Sequence, residues 1–389
     1  MQNLLRGIII YTITNPQVKF IIFFNNPKKY LYRLQARVII LVTHRKGDFM
    51  SNQKIIVTGG CGYIGSHTTV ALQNAGYNVV IFDNLANSTP ETLDRITEIT
   101  GVRPMFEKID CTDIDAVRDA FDRHGDATGV IHFAALKAVG ESVSYPLMYY
   151  KNNLVSLINV LEMMTAFNIE NIVFSSSATV YGAPDTLPAT EDTPTRAATS
   201  PYGQTKIMAE TIIRDTVAAN PKMHAVLLRY FNPIGAHPSG KIGELPRGVP
   251  NNLMPYITQV ACGQREKLNV FGDDYPTPDG FCVRDYIDVN DLADAHIAAL
   301  RHMIDSGDDI DVFNIGTGRG LSVMEIIRTF ERATGVKINY TITARRPGDV
   351  PAIWACADKA ATVLGWRAKT PLDDTMRAAW LWQQNISKN

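Results

Sequence analysis

A doubly wound α/β fold, with a parallel sheet between helical layers and a smaller C-terminal α/β domain, is what these 389 residues predict. Three observations predict it. KIIVTGGCGYIGSH over 54–67 reads as a strand, a tight turn and a helix start. From there to about residue 230, short β-branched runs alternate with helical segments, the pattern of a parallel sheet with crossover helices. After Asn232 the rhythm changes: Pro and Gly crowd between Pro233 and Pro255 and again over 276–280, where a second, less regular domain begins.

Residues 1–49 stand apart from this pattern. They carry eight basic side chains (Arg6, Lys19, Lys28, Lys29, Arg33, Arg37, Arg45, Lys46) against one acid, Asp48. Charges interrupt their apolar runs well before the ~18–20 residues a membrane span needs. No serine occurs before Ser51, as a transit peptide would require, and no small-residue cleavage site follows an apolar core. The stretch reads as a basic extension outside the fold, with the functional protein starting near Met50.

The β-branched run 54–58 calls for a buried strand. Gly59, Gly62 and Gly65 then let the backbone turn sharply, approach a pyrophosphate and pack helix on sheet, with the phosphate on the helix N-terminus. A second strand, 78–82, ends in Asp83, 18 positions past Gly65. A carboxylate there accepts both ribose hydroxyls of an adenosine and repels a 2′-phosphate, which favours NAD over NADP. Plain structural glycines and a solvated strand-end acid are the alternative. Further strands are predicted near 105–109, 130–133, 171–175 and 225–230, and helices near 113–124, 147–167 and 201–219. The strand-like 311–315 is placed back in the first sheet. The domains are thus 50–232, a Rossmann-type NAD-binding domain to which segments near 284–316 return, and 233–389, a substrate domain.

Composition is ordinary for a globular chain, with 46% hydrophobic and 20% charged residues. A net charge of −1 provides no basic field for nucleic acid. The five cysteines (61, 111, 262, 282, 356) are scattered and form no C-x-x-C pair, which argues against a disulfide framework and a structural zinc site and fits a reduced cytoplasm.

Tyr202 and Lys206 lie four residues apart, one turn on the same helix face. A tyrosine with a pKa near 10 is a poor base at neutral pH, and a nearby ammonium lowers it. The strand 171–175 runs on into Ser175-Ser176-Ser177 at the carboxyl edge of the sheet, where such folds bind ligands and a serine can hold a reacting oxygen. Helical packing and turn-capping serines are the plain reading of the same residues.

With these residues in place, the chain from about 54 to 382 resembles the extended short-chain dehydrogenase/reductase family. The likeness rests on 59–67, HFAALKAVGES over 132–142, Ser175 to Gly182, Ser200 to Lys206, LRYFNP over 228–233 and PNNLMP over 250–255. It is nearest to members that invert C4 of a UDP-hexose, UDP-glucose against UDP-galactose, in galactose metabolism. The resemblance implies Tyr202 as base, Lys206 as its partner and nicotinamide-ribose ligand, and Ser177 as the hydroxyl bridging to the sugar. It assigns Gly59, Gly62, Tyr63, Ile64 and Gly65 to the cofactor turn, and Asp83, Asn84, Asn87, Ser88 and Asp110 to the adenosine. Phe133, Lys137, Asn152 and Phe231 are assigned to the cofactor's inner half. Asn232, Asn252, Arg284, Arg346, Asp349 and Ile353, with Ser177 and Tyr202, are assigned to the nucleotide sugar. NAD is the implied cofactor, with no metal, no membrane partner and a homodimer built on the helix pair 144–168 and 204–219.

Two positions depart from the family pattern. Ala135 replaces a glycine, and Ile353 replaces a tyrosine beside the sugar. A sibling 4,6-dehydratase would need an acid and a base beside the bridging hydroxyl, where this chain has Ala178 and Thr179. A non-catalytic NAD sensor would lack the tyrosine or the lysine.

Overall fold

The computed structural model describes residues 53–196, 198–346 and 348–387. The reading of residues 1–49 as an extension lies outside them. The first half of the described chain runs β1 (Lys54–Thr58), α1 (Tyr63–Asn74), β2 (Asn78–Phe82), α2 (Glu91–Thr100), β3 (Met105–Glu107), α3 (Ile114–His124) and β4 (Gly129–His132). It continues with α4 (Val139–Ser144), α5 (Pro146–Ala166), β5 (Asn171–Ser177), α6 (Pro201–Ala219) and β6 (His224–Tyr230). Then come β7 (Asn232–Ile234), α7 (Leu253–Ala261), β8 (Leu268–Phe271), β9 (Val283–Asp288), α8 (Val289–Ser306) and β10 (Ile310–Ile315). The chain ends with β11 (Gly320–Ser322), α9 (Val323–Thr334), β12 (Tyr340–Thr343), β13 (Ala352–Ile353), α10 (Asp358–Val363) and α11 (Leu372–Ile386).

Seven parallel strands form the main sheet in the order β10-β6-β5-β4-β1-β2-β3. The strand order reverses at β1, so a crevice opens at its carboxyl end, where doubly wound sheets bind ligands. Helices cover both faces, which is why β1, β2 and β4 read as unbroken apolar runs: Ile55, Ile56, Val57, Val80, Ile81, Val130 and Ile131 are fully buried. One core packs this sheet against α3, α5 and α6 through Phe82, Phe121, Leu157, Val160, Ile172 and Ile213.

The 284–316 stretch divides. β10 lies beside β6 in the main sheet, α8 packs on α1, and β9 pairs instead with β7, β11 and β13. A second core under that smaller sheet joins Ile257, Leu268, Tyr286, Ile327, Phe330 and Met376.

Element ends follow local chemistry. Asp113 caps α3 by accepting from the Asp115 and Ala116 amides, and α9 opens on a capping box between Ser322 and Glu325. Ser200 caps α6, with Pro201 in the first turn where its missing N–H costs nothing. β3 stops at Glu107, short of the expected 109, because at this sheet edge Glu107 turns to accept from Arg123 and His124. β5 runs two residues beyond 175, since Ser176 and Ser177 still pair with Arg229 and Tyr230 of β6.

Candidate active site

The turn after β1 is shaped by its glycines. Gly59 has a φ of +69°, and a Cβ on it would meet the Ala134 amide nitrogen at 3.0 Å. A Cβ on Gly65 would lie 2.3 Å from the Gly59 carbonyl oxygen, so α1 packs directly on the turn. Gly62, the residue before α1, offers no side-chain cap, which leaves first-turn amides facing the crevice. Around them lies a cavity of about 120 Å³, lined among others by Gly62, Tyr63, Asn87, Ser88, Lys137 and Asn252.

Asp83, just past β2, is 8% exposed. Its Oδ2 accepts from the Cys61 amide at 3.0 Å, and its Oδ1 from the Leu85 amide at 2.8 Å and the Ser88 hydroxyl at 2.9 Å. It therefore ties the glycine turn to the 83–88 loop. Asn84 donates to Asp110 at 3.0 Å, and the Asn152 amide rests on Asn153. Phe133 tilts against His296 at 4.9 Å, and Phe231 is buried with Tyr181 and Ile353. Ile64 stands beside Tyr63, whose hydroxyl donates to the Gly235 carbonyl at 2.8 Å. A turn with open helix amides, an ammonium and a carboxylate at the neighbouring strand end are the groups a dinucleotide needs, and the residues present fit NAD.

At the carboxyl edge of β5, Ser177 accepts from the Thr179 amide at 3.2 Å, and its side chain neighbours the Tyr202 hydroxyl. Lys206 is 5% exposed. Its Nζ donates to the Ser175 carbonyl at 2.5 Å and lies 4.8 Å from the Phe174 ring centroid and 5.9 Å from that of Tyr202.

The trio comes together, but not with the electrostatics expected from spacing. Burial pushes the Tyr202 hydroxyl up to about 12, and the neighbouring Ser177 hydroxyl offsets only part of this. Burial also drives Lys206 down to about 8, against the pull of Glu210. In this arrangement the Lys206 ammonium is itself desolvated and donates to a backbone carbonyl, so it does not offset the burial of Tyr202.

Glu210 continues the Tyr202–Lys206 face one turn further. It is 4% exposed, accepts from Arg229 through both oxygens (2.9 and 2.7 Å) and from Ser176 at 2.5 Å. Arg229 also donates to the Tyr181 hydroxyl at 3.0 Å, which donates to Asn314 at 2.5 Å. The Tyr202–Lys206 spacing was legible in sequence; Glu210 and the arginine that pairs with it were not. Behind Tyr202, the Tyr230 hydroxyl bonds His296 Nε2, whose Nδ1 lies 2.8 Å from the Leu292 carbonyl. Burial holds that imidazole down at about 4, hence neutral.

Across the crevice, Arg284 of β9 stands in register with Ile353 of β13. Its Nη2 is 3.7 Å from Asp349, which Arg346 grips at 2.7 Å. Asp349 thus sits between two guanidiniums. Asn232 opens β7, and Asn252 precedes α7. Ile353 is 7% exposed, packed with Ala178, Tyr181 and Phe231. Glu244 and Arg247, absent from the sequence-derived set, belong to the same crevice: Glu244 accepts from Lys137 at 2.9 Å, and Arg247 donates to the Leu85 and Ser88 carbonyls at 3.1 and 2.8 Å. Loop residues without periodicity carry no sequence signal for either.

Over residues 55–316 the sequence matches the NAD dependent epimerase/dehydratase family. It is 52% identical over 331 residues to the UDP-glucose 4-epimerase of Bacillus subtilis (strain 168), covering 85% of this chain and 97% of that protein. Among solved structures it is similar to UDP-glucose-4-epimerase from Stenotrophomonas maltophila with bound NAD and formylated UDP-arabinopyranose. That match has a TM-score of 0.84 at 46% identity and covers 86% of this chain and 99% of the other. The Bifidobacterium longum enzyme in complex with NAD+ and UDP matches with a TM-score of 0.82 at 47% identity, covering 86% and 99%.

Proposed function

Because this chain belongs to the NAD dependent epimerase/dehydratase family, we infer that it catalyses the reversible epimerisation of UDP-glucose and UDP-galactose at C4 through a 4-keto intermediate. The observation that carries the reading is the grouping of Tyr202, Ser177 and Lys206 at the sheet edge that faces the glycine turn. NAD, when bound, would supply the acceptor and then the donor of the C4 hydride. Tyr202 takes the 4-hydroxyl proton and gives it back, and Ser177 bridges phenol and sugar oxygen. A hydroxyl that starts near 12 needs positive charge close by to act as a base at neutral pH. Lys206 supplies it once a ligand draws its ammonium from the Ser175 carbonyl.

Arg284 and Arg346 grip the diphosphate, with Asn232 and Asn252 beside them, and Asp349 is shared between Arg346 and the uridine ribose. They hold the part of the ligand that does not react, so the ketose is free to turn. In this assignment residues 50–232 and β10 carry the cofactor and 233–389 the nucleotide sugar. A homodimer through α5 and α6 is supported by exposed apolar side chains there and just before: Val143 is 62%, Leu147 80% and Met208 38% exposed. Among the described residues, no helix is long and apolar enough to cross a membrane. The five free cysteines support a reduced, cytoplasmic setting.

Purified protein mixed with UDP-galactose tests the reading. UDP-glucose is the expected product, and Tyr202→Phe is expected to lower kcat at least about 100-fold while UDP binding survives. Elimination products or no reaction would replace the reading by the dehydratase or the sensor. Near-full turnover by Tyr202→Phe would move the base elsewhere.

A further inference from the structure

Lys137 lies just past β4 and Asn252 just before α7, 115 positions apart in sequence. One oxygen, Glu244 Oε1, accepts from both: from Lys137 Nζ at 2.9 Å and from Asn252 Nδ2 at 2.6 Å. The carboxylate is mostly enclosed, with 11% side-chain exposure against 46% for Lys137.

Its backbone is pinned. The Glu244 carbonyl accepts from Trp382 Nε1 of α11 at 3.0 Å. The preceding residue has to be glycine, because a Cβ on Gly243 would stand 2.5 Å from the Trp382 ring. The Glu244 backbone and the residue before it are therefore held by contacts that do not involve the Glu244 side chain.

Asn252 points the same way. Asparagine at a helix N-cap ordinarily accepts from an amide of the first turn. Here Asn252 makes no side-chain cap to α7 and gives its amide to Glu244 instead.

We propose that Glu244 is a positioning residue that couples cofactor binding to nucleotide-sugar binding, by holding the cofactor's lysine and the sugar nucleotide's asparagine on one carboxylate oxygen. This rests on the functional reading above, which assigns Lys137 to NAD and Asn252 to the substrate.

The donor inventory sets the sign. An ammonium has three N–H donors and a primary amide two donors and an acceptor, so each residue keeps free groups for its own ligand while bound to Glu244. Neither ligand has to break the bridge. A ligand that orders one anchor also orders the carboxylate, and so the other anchor, and the coupling is positive. By reciprocity, UDP tightens NAD by the same factor that NAD tightens UDP.

The test is the Kd of NAD for the full chain, measured by equilibrium dialysis with and without saturating UDP, in wild type, Glu244→Ala and Glu244→Gln. In wild type UDP should tighten NAD about fivefold or more. In Glu244→Ala the ratio should fall to about one. Glu244→Gln keeps an acceptor for Asn252 but loses the charge that holds Lys137, and should reduce the ratio without lowering the thermal midpoint. Being isosteric, it carries the test if Glu244→Ala does not fold. A wild-type ratio of one, or variants that keep the wild-type ratio, would overturn the proposal. Wild-type protein that binds neither NAD nor UDP would instead sink the functional reading, and the proposal with it.

Discussion

Gly65 and Gly62 lie three residues apart in the same turn, and the structure gives them opposite fates on conversion to alanine. At Gly65 a new Cβ meets the Gly59 carbonyl oxygen at 2.3 Å and Gly60 Cα at 2.8 Å, both backbone atoms that cannot swing away. To reach an ordinary contact, α1 must retreat by about 1 Å. Val70 and Leu72 on α1 are buried, so that retreat spreads into the core. Overpacking of this kind costs about 1–3 kcal/mol, and the top of the range applies where the obstruction is backbone. Alanine returns about 1 kcal/mol as the better helix former. The balance, about 2 kcal/mol, lowers the thermal midpoint by about 4 °C.

At Gly62 the φ of −73° suits alanine, and the new Cβ meets only the Gly59 oxygen at 3.1 Å. The fold should barely notice, with a cap change worth at most about 1 kcal/mol. The methyl, however, stands where the first-turn amides face the crevice. Loss of one charge-assisted hydrogen bond to a diphosphate, about 1.5–3 kcal/mol, weakens NAD roughly 10- to 100-fold. Differential scanning fluorimetry and NAD titration of both variants separate the two effects. A wild-type midpoint for Gly65→Ala, or wild-type NAD affinity for Gly62→Ala, refutes the reasoning.

Two further outcomes are expected. Asp83→Ala removes three hydrogen bonds and the repulsion of a 2′-phosphate together, so NAD should weaken about tenfold or more and the NADP/NAD affinity ratio should rise; an unchanged ratio in parallel titrations would reduce Asp83 to a strand cap. UDP-N-acetylglucosamine should turn over more weakly than UDP-glucose, because Ile353 is smaller than tyrosine but stiff at χ1, and Ile353→Tyr should abolish the former while sparing the latter. Equal loss of kcat/KM for both sugars would trace the effect to overpacking of the Ala178, Tyr181 and Phe231 cluster.

The main sheet was legible because its strands are buried on both faces and read as apolar runs between capped helices; Ser200-Pro201 marks the start of α6 to the residue. The three-residue spacing of the turn glycines and the Tyr202–Lys206 pair survive translation into structure, since both depend only on local geometry. What spacing does not carry is solvation. The surroundings of Lys206 are supplied by Phe174, Ser175 and Glu210, and no periodicity announces that its ammonium will be buried. Short strands such as β7 and β13, with three and two residues, owe their existence to partners far away in sequence. Glu244 belongs to the same class: its role exists only once α11 and the 132–142 segment are brought beside it.

The Glu210–Arg229 pair has a consequence for how this enzyme fails on warming. Both side chains are almost fully enclosed, 6% and 5% exposed, and removing one partner of such a pair costs about 3–5 kcal/mol. The carboxylate sits two turns along α6 from Tyr202 and is fastened to Ser176 of β5 and Arg229 of β6, so the middle of that helix cannot leave the sheet without breaking these bonds. Elements that come loose early are those with few buried contacts, and this is the reverse case. Activity on warming is therefore expected to fall together with the folded state, and residual activity measured beside the unfolding curve checks this.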